Sequence, residues 1–572
     1  MHKETLTNVL GVVYVHRKTR NCGDLYLTEF ADQYHKHLNI GNWFEKRWFD
    51  RHKIRLKGTG SVFKVPTKKV NGKSLDLVVK NCRVGEDVPL ATHTLEEFCN
   101  AEFNSPWEEF SLVSEMKEGR FGPGHIKMKT QRPMAIYVPP GKMQPWQSGR
   151  SRDKINKIRA RHPGVDLDIL KQYKLVYQWI DGLSLPEIFE YIDIEHDELV
   201  HHLKTLDQEV MADIERKGYH VADSKPEHII ISLKDTEQTI KIGMNGGSNA
   251  AEDQITYLYK LIKNDKYSIV DYELLLRTPE HDKLVKEQKR HSYLDYQRDR
   301  FTETPLPGHL QKMEIHGIPY IYGHTESTGG KLWVVGNNPL LFDYFLPERW
   351  RKTPSIGLPG TKEAFYTLTK DNVHLVWRTS RVGELPDNND EDYDPLVCEF
   401  GINSPFEESA IAFELAGLGI PCAYVRAIYK TWSYKMEKSS DLRRYELHKN
   451  MLDPEGRPVL QEEHNYIFIR GYYNGPDDWV AKQSGPLYER VSLEEAAATG
   501  ILEMENCRLL LEKVKMDLEK AGYIGTLLKL HDLVLSVDCE GRIVKNSTGK
   551  PLVVICNFEY IWKRHRFFKL VF

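Results

Sequence analysis

Gly218-Tyr-His-Val-Ala-Asp223-Ser-Lys225-Pro-Glu-His228-Ile-Ile-Ile231 places an acid, a base and an imidazole in one turn and runs straight from it into a β-branched strand. Proline breaks any helix here, and three consecutive isoleucines favour a pleated, buried segment. The loop therefore presents the Asp223 carboxylate at the mouth of a strand. What such a turn does depends on whether matching chemistry occurs in order along the rest of the chain.

The chain has 572 residues, of which 40% are hydrophobic and 11% aromatic, enough for the cores of two or more domains. With 79 basic and 82 acidic side chains the net charge is −3, so no overall field recruits nucleic acid or an anionic membrane. The sequence has no apolar run of membrane-spanning length, and Met1-His-Lys-Glu-Thr5 lacks an apolar signal core, which points to a cytoplasmic protein. Eight cysteines without a Cys-x-x-Cys pair or close Cys/His spacing predict buried thiols, neither disulfides nor zinc.

The chain also contains itself twice. Gly11-Val-Val-Tyr-Val15 and Gly23-Asp-Leu-Tyr-Leu27 are echoed by Gly317-Ile-Pro-Tyr-Ile321 and Gly329-Gly-Lys-Leu-Trp-Val334. Val78-Val-Lys80-Asn-Cys-Arg-Val-Gly-Glu86 recurs as Val376-Trp-Arg378-Thr-Ser-Arg-Val-Gly-Glu384, and Asn104-Ser-Pro-Trp-Glu-Glu109 as Asn403-Ser-Pro-Phe-Glu-Glu408. Matches in one order, each offset by about three hundred residues, predict a tandem duplication. The expected domains are 1–305 and 306–572, joined near the Pro/Gly cluster Thr302-Glu-Thr-Pro-Leu-Pro-Gly308.

In the first copy, Gly58-Thr-Gly60 is a turn between two strand-like runs, and glycines there let backbone N–H groups close over phosphates. Leu75-Asp-Leu-Val-Val-Lys80 puts a lysine at the end of an apolar strand. Ser105-Pro-Trp-Glu108-Glu109 is the start of a helix, with Ser105 as the cap and acids in the first turn. Tyr173-Lys-Leu-Val-Tyr-Gln178-Trp179-Ile180 is an apolar strand that stops at Asp181-Gly182, and the amphipathic run Leu199 to Lys217 separates it from Asp223.

Taken in this order, the motifs resemble the protein-kinase superfamily, whose catalytic loop has Asp, one residue, then Lys-Pro-Glu-Asn before an apolar strand. The resemblance implies an α+β fold of two tandem protein-kinase-like bilobal domains, each with an antiparallel sheet lobe and a helical lobe. It implies ATP with Mg²⁺ as the nucleotide. Gly58 and Gly60 would cover the phosphates, Lys80 held by Glu109 (Glu108 being the second choice) would contact them, and backbone groups of Gln178, Trp179 and Ile180 would meet the adenine. Asp223 would be the catalytic acid–base group and Lys225 would neutralise developing charge.

The departures are specific. His228 stands where the family has a metal-binding Asn, which would favour Mn²⁺ over Mg²⁺. No acid occurs in Thr239-Ile-Lys-Ile-Gly-Met-Asn245, where Asp-Phe-Gly is expected, so the metal ligand is assigned to Asp271 in Val270-Asp271-Tyr272-Glu273, about fifty residues after Asp223, with Ala250 to Lys263 an inserted helix. The short remainder resembles compact atypical members such as the lipopolysaccharide-kinase and RIO-like groups.

The second copy keeps the frame and loses the chemistry. Arg378 replaces Lys80, Leu527 falls at Asp223, Lys529 at Lys225, and Asn557 replaces Asp271, which reads as a supporting pseudokinase. The leading expectation is an ATP-dependent phosphotransferase acting on an unknown hydroxyl acceptor or protein partner. Its rivals are a non-catalytic nucleotide-sensing scaffold of two pseudokinase domains, or AMP transfer by the same fold. A basic run, Arg150, Arg152, Lys154, Lys157, Arg159 and Arg161, reads first as a solvated loop and second as a docking patch for an anionic partner, and the tail Trp562-Lys-Arg-His-Arg-Phe-Phe-Lys569 suits nucleic acid or a membrane surface and equally a helix packed by one face.

Overall fold

The computed structural model describes residues 4–56, 61–86, 103–122, 125–144, 155–158, 167–245, 247–325, 329–351, 353–358, 364–385, 395–435, 438–472, 488–538, 540–546 and 548–564. The turn with Gly58 and Gly60, the basic run apart from Lys157, and the tail beyond Arg564 lie outside them. The chain is mixed α+β and divides into two compact units, Met1–Lys286 and Glu287–Phe572. The division falls earlier than the Pro/Gly cluster, within the helix Pro279–Arg298. The physical reason is packing: Tyr293 of that helix is buried with Leu310, Phe342 and Phe345, residues of the second unit.

The first unit is built on an eight-stranded antiparallel sheet of β1 (Thr5–Val9), β2 (Val12–Lys18), β3 (Asp24–Leu27), β4 (Ile54–Arg55), β5 (Val62–Pro66), β6 (Asp76–Asn81), β7 (Pro133–Val138) and β8 (Lys174–Gln178). Their order across the sheet is β1-β2-β3-β7-β8-β6-β5-β4. β6 pairs on both sides, with β5 and with β8, which is why its Leu-Val-Val run is apolar on both faces. Leu77 and Val79 pack on one face beside Trp43, whereas Val78 packs on the other beside Phe110 and Tyr177. Strand alternation sends Lys80 to the same face as Val78.

That face is covered by the helix Pro106–Glu118, whose Phe110 and Val113 are buried. Its start is fixed by a capping box in which Ser105 Oγ accepts from Glu108 N–H while Glu108 Oε2 accepts from Ser105 N–H. Its end is set by Gly119 at φ 62°, a left-handed conformation where an added Cβ would also meet His125 O at 2.5 Å.

Beyond β8 the unit becomes largely helical, with helices at His196–Arg216, Leu233–Asn245 and Ala250–Lys263. The expected inserted helix is thus present, and the acid-free segment Thr239–Asn245 lies in the helix before it. Small antiparallel pairings tie the loop of Asp223 to the rest. Ile229–Ser232 bonds both Gly182–Ser184 and Ser268–Ile269, and Tyr219–Val221 bonds Leu275–Arg277.

The second unit repeats the sheet strand for strand: Gln311–Ile315, Ile318–Thr325, Gly330–Val335, Val425–Tyr434, His464–Gly471, His374–Thr379, Ala364–Leu368 and Ser355–Gly357 follow one another in the same spatial order. Its covering helix, Pro405–Gly417, carries the equivalent capping box of Ser404 and Glu407. Asn104 Nδ2 donates to the carbonyls of Tyr272 and Leu275, and Asn403 Nδ2 donates to those of Phe558 and Ile561. The internal duplication is therefore one of fold as well as sequence. Among the described residues no helix is long and apolar enough to cross a membrane.

Candidate functional site

Three charged groups converge at the end of β6. Lys80 Nζ lies 2.7 Å from Glu109 Oε1 and 3.2 Å from Asp271 Oδ1. The Lys80 and Glu109 side chains are 6% and 1% exposed, and the Tyr177 hydroxyl donates to Glu109 Oε1 at 2.6 Å. Burial presses the Lys80 ammonium down, but the carboxylates of Glu109, Asp271 and Glu273 outweigh it and hold the pKa above the usual lysine value. Burial also disfavours the charged form of Asp271; Lys80 and His228 overcome it and hold this carboxyl below its ordinary range. Glu109 goes the other way, raised by burial against the pull of Lys80. Glu108, the second choice for the partner of Lys80, is committed to the capping box.

Asp271 is held at φ 68°, a left-handed conformation that is uncommon for a residue with a Cβ. Val270 N–H donates to the His228 carbonyl at 2.9 Å, and the His228 ring comes within 3.7 Å of Asp271 Oδ2 through Nε2. The other ring nitrogen, Nδ1, is buried without a hydrogen-bond partner. On the same loop Lys225 Nζ donates to Asp223 Oδ2 at 2.7 Å, and both side chains reach solvent.

The strand end at Gln178 is partly committed already. Gln178 N–H donates to Arg132 O, Trp179 N–H donates to Asp76 O, and Leu233 N–H donates to Asp181 O. The Lys64 ammonium sits 4.3 Å over the Trp179 ring. Of Gln178, Trp179 and Ile180, Ile180 is the one whose N–H these contacts do not use.

Three contributors escaped the sequence reading: Asp207, Arg83 and Glu273. Asp207, on the helix His196–Arg216, accepts from Ser224 Oγ at 2.6 Å; burial raises its pKa while the nearby His228 opposes the rise. Arg83 donates to Glu273 Oε1 at 3.1 Å and stacks 4.1 Å over Phe103. Glu273 itself is pushed up to about 7 by burial and by its neighbour Asp271. The Arg83-Val-Gly-Glu86 repeat was the available signal for Arg83, since the same pattern recurs at Arg381.

Among the described residues no group of three or more His, Cys, Asp or Glu side chains is placed to hold a metal ion. Asp271 and His228 supply two donors, and Mg²⁺ characteristically takes one or two carboxylates and completes its shell with phosphate oxygens and water. Two such donors could take part in holding a divalent cation whose other ligands come from elsewhere.

The second unit fills the corresponding space differently. Arg378, at the place of Lys80, donates to both Glu408 and Glu559. Asn557, at the place of Asp271, donates to Asp532 Oδ1 at 2.9 Å. Leu527 lies ahead of the turn Leu530–Asp532 as Asp223 lies ahead of Pro226–His228. The chain matches no model of a known protein family, and no curated protein sequence matches it either.

Proposed function

We propose that the first unit binds ATP between the two parts of its fold and transfers a phosphoryl group to a hydroxyl acceptor, as a compact protein-kinase-like phosphotransferase, while the second unit is a catalytically degenerate copy. The observation that carries this reading is the buried Lys80–Glu109 ion pair with Asp271 on the same ammonium. A strand lysine fixed by a helix carboxylate, next to a metal-binding acid, is the arrangement on which kinase phosphoryl transfer relies. The strand order around β6 and the convergence of Asp223, Lys225 and His228 on one loop support it.

In this reading Lys80 contacts the α- and β-phosphates and Glu109 keeps its ammonium from collapsing elsewhere. The adenine edge would meet the backbone at Ile180, since the N–H groups of Gln178 and Trp179 are occupied. A Mg²⁺ or Mn²⁺ ion arriving with the nucleotide would spread the charge of the β- and γ-phosphates, with Asp271 and His228 as its protein ligands. Asp223 accepts the proton of the acceptor hydroxyl as its oxygen bonds to the γ-phosphorus and ADP departs. Lys225, 2.7 Å from Asp223, stabilises the charge on the group in transit.

One observation favours the rival, a nucleotide-binding scaffold without turnover: Lys80 holds Asp271 as well as Glu109, so a metal-bearing nucleotide has to displace a formed ion pair. Incubation of the intact protein with ATP labelled at the γ- or the α-phosphate separates the readings. Retention of γ-label on protein or acceptor supports phosphoryl transfer, retention of α-label means AMP transfer, and neither label with measurable ATP binding means the scaffold.

A further inference from the structure

The second unit replaces the aromatic–carboxylate–lysine contacts of the first with arginines, and among the described residues two of them, Arg470 and Arg490, make no ion pair within 4 Å. Strand pairing sets Val376 opposite Arg470 in the second unit and Val78 opposite Tyr177 in the first, so Arg470 stands where Tyr177 supports Glu109. The same register puts Arg470 diagonally across from Arg378 on one face of the sheet. Ser492 opposite Val534 matches Ser184 opposite Ile230, which places Arg490 where the first unit has Gly182.

Among the described residues little uncommitted negative charge lies near them. Arg378 is satisfied by Glu408 and Glu559. Asp532, whose charge favours the Arg470 guanidinium without pairing to it, already accepts from Asn557 Nδ2 and from Lys529 N–H. Arg470 is 5% exposed and its Nη1 is buried with no partner; Arg490 is 8% exposed, its Nε is likewise unpartnered, and its Nη2 has only a 3.7 Å contact to Cys556 Sγ. A desolvated guanidinium without a counter-ion is costly to fold around. Burial, and then the charges of Arg490 and Arg378, press Arg470 down to about 10.

We infer that Arg470 and Arg490 form an anion site in the second unit that takes phosphate groups without a divalent cation. Guanidinium forks match phosphate oxygens, and two of them supply the charge that a metal would otherwise bring. Asn557 in place of Asp271 agrees, because an amide contributes no charge to hold such a cation. The inference stands on the second unit alone and does not require the first unit to be an enzyme.

Calorimetric titration of the intact protein in EDTA, with inorganic pyrophosphate and separately with ATP, tests it. One site per chain is expected, kept in Asp271→Asn and weakened at least about tenfold in Arg470→Met and in Arg490→Met, the loss of a charge-assisted hydrogen bond. ATP binding more tightly than pyrophosphate would make the ligand a nucleotide; equal affinities would make it phosphate alone, and both uphold the site. Absence of metal-free binding, or metal-free binding that survives both arginine variants, overturns it. Folding is not the obstacle, since Arg470→Met removes an unpaired buried charge; its unfolding midpoint without ligand should be no lower than that of the parent.

Discussion

The Lys80 ammonium and the Glu109 carboxylate lie 2.7 Å apart with both side chains almost wholly removed from water. Breaking such a pair leaves one charge buried alone, which typically costs about 3–5 kcal/mol. Lys80→Met should therefore destabilise the first unit by about that amount and abolish metal-linked ATP binding. Adding Glu109→Leu should restore most of the stability and none of the binding. Urea unfolding and calorimetry on the single and double variants measure the two effects separately.

Asp223 stands on the loop ahead of the strand Ile229–Ser232, with Lys225 as its partner. Asp223→Asn is expected to remove γ-phosphoryl transfer while ATP affinity stays within about twofold, because the acid acts on the acceptor and not on the nucleotide. Parallel loss of affinity would assign Asp223 to nucleotide binding instead.

Glu408 is pushed up to about 8, first by burial and then by Glu559 and Glu407, against the pull of Arg378. A carboxyl with a folded pKa above its unfolded value near 4.3 takes up a proton on folding, so its contribution is full below about pH 4 and is lost as pH rises through 8. Glu408→Gln should change stability little at pH 6.5 and raise it above the parent at pH 9. Glu559→Gln, which takes a charged partner from Arg378, should destabilise at both. Thermal unfolding of the three proteins across this range checks the sign.

Much of this arrangement was legible in the sequence because it is local or repeated. The Ser-Pro-x-Glu-Glu helix start, the apolar strand ending in Lys80 and the turn at Asp223 each declare their own structure, and the second copy supplies an independent reading of each. Long-range contacts outside those motifs were not legible. Asp207 sits mid-helix like any solvated acid until the fold carries it to Ser224, and Arg470 reads as an ordinary strand residue until its burial and its missing partner are seen. The division between units falls before the Pro/Gly cluster, within the helix Pro279–Arg298, whose high charge hides in the sequence a packing that depends on a few aromatic residues such as Tyr293.

The central claim rests on Asp271, which came from a position far beyond the usual spacing and which the fold sets 3.2 Å from Lys80. Titration of the intact protein with ATP, with and without Mg²⁺, for the parent and for Asp271→Asn is the most direct test. The account predicts a Mg²⁺-dependent component of binding in the parent that disappears in Asp271→Asn, leaving any metal-free component untouched. A Mg²⁺-dependent component of equal size in both proteins would contradict it.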